Sequence, residues 1–216
     1  MNRLSVHDVL AQKNVHDVVA LNNYHIYNRG INRENIFCEE RNYPHFLKLY
    51  AYHIEPIAET FAYCLLRNHF HLLVRVKIEE EIDPKGFQNS LGSGLLRSAS
   101  QKFSDFFNAY AKAINQAYGR TGSLFQHPFG RIPVTNDRQF WSVVAYIHQN
   151  PQKHKFVEDF REWKWSSYAA HLTEKPTRLK RAAVLEWFCG QKRYEKLHAQ
   201  WITDAESKWF AEDDEE

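Results

Sequence analysis

Cysteine is scarce in this chain, with three in 216 residues. Cys38, Cys64 and Cys189 are far apart in sequence and form no CxxC pair, which argues against a cysteine zinc site or a disulfide framework and suits a reducing compartment. No run of about 18 apolar residues occurs, so no membrane-spanning helix is expected. The opening MNRLSVHDVLAQKNVHDVVA has no continuous apolar stretch of the kind a secretion signal needs. Together these absences give the expectation of a cytoplasmic protein. There is no Gly-rich loop ending in Lys-Ser/Thr, so ATP-driven chemistry is not indicated. The chain is short enough for one domain with an appendage and long enough to bury a sizeable core.

The formal charge of +2 hides an asymmetry. Glu212 to Glu216 are all acidic; without those five the balance is 28 basic against 21 acidic residues, or +7. A basic body with a short acidic tail suits a polyanionic partner. Aromatics reach 15%, enough to fill a core and, where exposed, to stack on unpaired bases. Core filling is the simpler reading for most of them.

VHDV occurs twice, at 6–9 and 15–18, and with no third copy it is read as chance within an N-terminal tail or short helix over 1–20. NYHIYNRG reads as a strand ending at a glycine turn. Apolar residues at Phe46, Leu47, Leu49, Tyr50 and Ile54 predict a helix over 41–54. ETFAYCLL and HFHLLVRV, separated by Arg67-Asn68, predict a hairpin of adjacent strands. IEEEIDPKGFQNSLGSG reads as a connection, with a Gly/Ser-rich insertion at 86–94. The spacing of Leu96, Phe103, Phe106, Phe107, Tyr110 and Ile114 predicts a helix over 95–118, ended by Gly119. Pro128 and Pro133 place the next, irregular strand at a sheet edge. DRQFWSVVAYIHQNP predicts a helix over 137–150 stopped by Pro151. The order strand, helix, strand, strand, helix, strand, helix implies an α+β, ferredoxin-like (RRM-like) antiparallel sheet with helices packed on it. VLEWFCGQKRYEKLHAQWI adds a helical pattern, so the expected organisation is a tail over 1–20, a domain over 21–170 and a helical extension over 171–216 with the acidic tail.

In HFHLLVRV, His69 and His71 share one face of a strand while Phe70 points to the other. Two imidazoles so placed can converge on a metal ion, although an isolated HxH is more often a polar strand face. A further ligand and a nucleophile are needed. In AYIHQNP, Tyr146 and Asn150 stand at i and i+4, on one helix face. Asn150 can offer its carbonyl oxygen to a cation while Tyr146 points at whatever that cation polarises. His148 stands roughly opposite, outside this set. Tyr194 with His198 has the same spacing and is the internal rival. Taken singly, Tyr146 reads as a core tyrosine and Asn150 as a helix-terminal residue; the weight lies in the combination.

That combination resembles the HUH-type single-tyrosine transposases, and within them the REP-associated tyrosine transposases and their insertion-sequence relatives. YHIYNRG, the HFH triplet, RTGSLFQHPF, YIHQNP and WSSY carry the resemblance, over roughly residues 22 to 170. It implies that His69 and His71 are the HUH pair with Phe70 between them, that Tyr146 is the nucleophile, and that Asn150 is the third ligand, where many relatives have glutamine. It implies Mg²⁺ or Mn²⁺ as cofactor, single-stranded DNA beside a hairpin as substrate, a 5′-phosphotyrosine intermediate, and action as a monomer or homodimer. Candidate DNA contacts, from charge and position, are Arg29, Arg33, Arg120, Arg131, Lys153, His154 and Lys155. Trp163 and Trp165 offer stacking surfaces, but read first as pins for the tail. The alternative is a catalytically silent, sheet-based nucleic-acid-binding module, against which the missing aromatic signature of RNA-binding sheets counts.

Overall fold

The computed structural model describes residues 22–78, 81–82 and 99–200. The N-terminal tail, the Gly/Ser-rich insertion, the start of the helix read from Leu95 and the acidic tail lie outside them. Four strands, β1 (Asn23–Arg29), β2 (Ala58–Leu65), β3 (His69–Val76) and β4 (Gly130–Val134), form one sheet in the order β2-β3-β1-β4. Every neighbouring pair is antiparallel. Helices α1 (Asn42–His53) and α2 (Ala99–Tyr118) connect them, and α3 (Asp137–Lys153) follows β4. This is the α+β arrangement that the element order implied, with β4 at an edge.

Strand alternation divides the core in two. Ile26, Phe70, Leu72 and Val74 face α1 and α2, where Phe46, Phe106, Phe107, Tyr110 and Ile114 close over them. Phe46 is the hub, with ring centroids 5.1 Å from Phe70, 4.8 Å from Phe106 and 5.0 Å from Tyr110. The aromatic surplus is thus largely core; among the described residues, Tyr52 stands out as an exposed large hydrophobic. On the opposite face Phe61, Ala62, Cys64 and Leu73 pack against Phe140, Val143, Val144 and Ile147 of α3. A β-bulge between Thr60 and Ala62 lets two successive residues, Phe61 and Ala62, enter that second layer.

Asn136 caps α3 by accepting from the Gln139 amide at 2.9 Å. The helix does not stop at Pro151 as expected; it runs to Lys153 with the proline inside its last turn. A proline there forfeits one backbone bond, while His154 N–H still donates to the Asn150 carbonyl at 2.9 Å and Phe156 N–H to that of Pro151 at 2.8 Å.

After α3 the chain crosses the outer side of β2 as a strap. Leu65 N–H donates to the Trp165 carbonyl and Ser167 N–H to that of Tyr63, both at 2.9 Å. Trp163 Nε1 donates to the Leu65 carbonyl at 2.9 Å, and the Trp165 ring stacks on Tyr43 at 4.6 Å. Both tryptophans therefore pin the tail. The last helical pattern divides into α4 (Arg181–Trp187) and α5 (Gln191–His198), because Cys189 and Gly190 adopt positive φ between them. Val184, Phe188 and Tyr194 enter the α3 side of the core.

Gly130 opens β4 beneath the Tyr27 ring, and a β-carbon there would lie 2.1 Å from Tyr27 Cζ. Gly130→Ala must therefore displace that ring. Urea titration should show a loss of about 1–3 kcal/mol, the range for overpacking a close-packed site.

Candidate active site

The site grows from three elements. β3 begins its buried run with His69 and His71 on the α3 side, their ring centroids 5.2 Å apart and nearly perpendicular. α3 lays Tyr146 across them, 5.5 Å from the His71 ring. One turn on, Asn150 Nδ2 donates to the Tyr146 carbonyl at 3.0 Å. A carbonyl can only accept, so this bond fixes the amide orientation and leaves Oδ1 to point elsewhere. β1 completes the floor with His25, whose ring stacks 5.1 Å from that of His71.

His69 Nε2, His71 Nε2 and Asn150 Oδ1 are buried and make no hydrogen bond. Orphaned polar atoms inside a protein are costly, and three on neighbouring side chains leave room for a shared partner such as a water or an ion. Their inner nitrogens are engaged. His69 Nδ1 lies 2.7 Å from Asn68 Oδ1, and His71 Nδ1 lies 3.0 Å from His25 Nε2. Asn68 Oδ1 can only accept, so His69 carries its proton on Nδ1 and presents a bare lone pair at Nε2.

Burial holds His69 well below the usual imidazole range, with His154 and Arg29 lowering it further and the nearby Asn150 carboxamide pulling the other way. Burial does the same to His71, reinforced by His25 and His69. Both rings are thus neutral at pH 7, the form that binds a cation. Two neutral imidazoles and an amide oxygen fit a divalent ion that must keep most of its charge. Among the described residues no three His, Cys, Asp or Glu side chains converge as a metal site, so a cation here would need the carboxamide as well as the imidazoles. A cavity of about 30 Å³ touches His69, His71, Tyr27, Arg29 and Gln126, room for one ion or water.

Of the other expected contacts, Arg29 and Lys153 border this cluster: both depress His69, and Lys153 Nζ sits 5.1 Å from the centre of the Tyr146 ring. His154 stands 4.8 Å from the His69 ring, its own pKa pushed down to about 4 by burial and by Lys153 and Arg29. Lys155 is exposed just beyond, with positive φ. Arg33 is exposed after β1, and Arg120 pairs with Glu34 nearby. Arg131 is not brought to the cluster: it opposes Ile26 in the register, on the other face of the sheet, and donates to Ser100 Oγ at 3.2 Å. The rival pair is enclosed on the far side of α3, where Tyr194 and His198 contact His148. His25 and Asn68 were missed as site residues. Alternation along YHIYNR would have placed His25 on the right face, but only the pairing of β1 with β3 brings it to His71.

No family model matches the chain. A curated protein of Haemophilus influenzae, whose name places it among the REP-associated tyrosine transposases, is 28% identical over 111 residues, 51% of this chain and 58% of that protein. The chain therefore matches a little over half the length of that relative. A solved REP-associated tyrosine transposase bound to a REP hairpin is similar in fold, with a TM-score of 0.54 at 15% identity, covering 71% of this chain and 80% of that one.

Proposed function

We propose that the protein is a metal-dependent HUH-type transposase of the REP-associated class, cutting and rejoining single-stranded DNA beside a hairpin through Tyr146. The observation that carries this reading is the convergence of Tyr146 with three orphaned donor atoms, on His69, His71 and Asn150, in one buried cluster. The names of the two similar proteins, one of them solved with a REP hairpin, support the substrate class.

His69, His71 and Asn150 would hold Mg²⁺ or Mn²⁺, which when bound supplies a Lewis acid for the phosphate oxygens. The Tyr146 oxygen attacks a backbone phosphorus in line with the 3′-oxygen. The new bond joins the tyrosine to the 5′-phosphate, the bond to the 3′-oxygen breaks, and the proton lost by the phenol is balanced by one gained at the leaving hydroxyl. Bond energy is conserved, so a later 3′-hydroxyl can reverse the step without ATP. Arg29 and Lys153 stand where they can neutralise the approaching phosphates. The backbone must be unpaired there, since a stacked duplex cannot offer a phosphorus to a phenol on a helix.

A silent binding module is the weaker reading. The sheet face that such a module would offer to bases is covered by α3, and His25, His69 and His71 are buried beneath it. A hairpin oligonucleotide with single-stranded flanks, labelled on the side that keeps the 5′-phosphate, separates the two. With Mg²⁺ or Mn²⁺ the label should migrate with the protein on a denaturing gel, and chelation should abolish the transfer. Tight hairpin binding with no transfer under either metal would leave the binding module.

A further inference from the structure

We propose that His25 is a positioning residue for the candidate metal site, accepting the His71 Nδ1 proton and thereby fixing His71 with its Nε2 lone pair outward. This rests on the metal reading of His69, His71 and Asn150.

The contact is between two ring nitrogens. His25 Nε2 and His71 Nδ1 are 3.0 Å apart, and the rings stack with an interplanar angle of 22°. An N···N hydrogen bond holds one proton, which leaves two arrangements. If His25 donates, the neutral His71 must carry its remaining proton on Nε2. That atom is buried and has no acceptor, so its N–H would be wasted and the lone pair lost. If His71 donates, Nε2 is bare and the orphaned atom becomes a ligand. The second arrangement is the one that matches His69, where Asn68 Oδ1 leaves no choice about the proton. β1 and the β2–β3 turn thus perform the same task on the two imidazoles from opposite sides.

His25 is fully buried and stands in the middle of β1, where its neighbours on the same face are Asn23 and Tyr27. Its ring edge meets the Tyr146 ring at 6.1 Å, so it touches both the ligand and the residue read as nucleophile. An aliphatic residue would fill this position at lower desolvation cost, and a buried imidazole here is explained by its partner. Outer partners of metal-bound histidines are worth about 10–100-fold in metal affinity.

The test is Mn²⁺ affinity of the DNA-free full chain, by titration calorimetry or by the electron paramagnetic signal of free Mn²⁺. His25→Phe should weaken binding by about tenfold or more. His25→Gln, whose terminal oxygen reaches roughly where Nε2 stands, should stay within about threefold of the parent by the same reasoning. Equal affinity for the Phe variant and the parent would overturn the proposal, as would equal losses in Phe and Gln. His71→Ala guards the premise: if it binds Mn²⁺ as the parent does, the metal reading has failed rather than the role of His25. Should the Phe variant not fold, nitrogen-15 NMR of the intact protein decides. It should show His71 protonated at Nδ1, with a scalar coupling across the hydrogen bond to His25 Nε2. A proton on His71 Nε2 would overturn the assignment.

Discussion

Tyr146→Phe is expected to abolish covalent capture of DNA, by a thousandfold or more, while hairpin affinity and thermal stability stay close to those of the parent. The substitution removes one oxygen and leaves the ring. That ring carries the packing, 5.5 Å from His71, 6.1 Å from His25 and beneath Lys153 Nζ at 5.1 Å. Unchanged hairpin affinity and thermal stability alongside a lost adduct would separate lost chemistry from a collapsed site. Label transfer on a denaturing gel reads the chemistry, and fluorescence anisotropy of a labelled hairpin reads the binding. An adduct that persists in the Phe variant would move the nucleophile to another tyrosine. Tyr194 is an unsuitable one: it lies on the far side of α3 from His69 and His71, with its hydroxyl engaged by the Tyr168 carbonyl at 3.3 Å and by His148 Nδ1 at 3.2 Å.

The second large effect is acid unfolding. Burial pushes His171 down to about 4 and His198 down to about 3, the latter despite a bond to the Tyr194 carbonyl at 2.8 Å. In the unfolded chain both would titrate near 6.5, at the ordinary imidazole value. Above that pH neither state binds the proton and stability is at its full value. As pH falls through 6.5 the unfolded chain takes up protons that the folded chain refuses, so stability declines until the folded values are reached. Each group contributes a slope of about 1.4 kcal/mol per pH unit in that window. Two of them over about two units remove several kcal/mol, comparable with the whole net stability of a domain. Urea midpoints measured between pH 7.5 and 4.5 should fall steeply below pH 6.5. His171→Leu should reduce the slope by about one proton, and an unchanged slope would show that His171 charges without unfolding.

The sheet was legible in the sequence because period-two alternation survives wherever one face of a strand meets one layer. HFHLLVRV became β3 residue for residue, with Phe70, Leu72 and Val74 on the α1–α2 side. The i, i+4 spacing of Tyr146 and Asn150 likewise survived, since helix geometry alone sets it. What was not legible depends on pairing between distant segments. His25 meets His71 across 46 positions, and no pattern within β1 announces a partner. Asn68 read as a turn residue, and so it is, but its side-chain amide oxygen also lies against His69. Pro151 misled because the rule for prolines weighs the lost donor and not the bonds that resume after it. Arg131 has the right charge on the wrong face, a distinction that needed the register with Ile26.

The strap along β2 bears on how copies of this chain can meet. An open strand flank is a template for adding another strand, from a second molecule or an extended peptide. Here the outer amides of Tyr63 and Leu65 are already taken, by Ser167 Oγ and by the Trp165 carbonyl, each at 2.9 Å. At the other flank, Pro133 interrupts β4 with a residue that has no amide proton to give. Extension of the described sheet by a strand of another molecule is therefore disfavoured at both flanks.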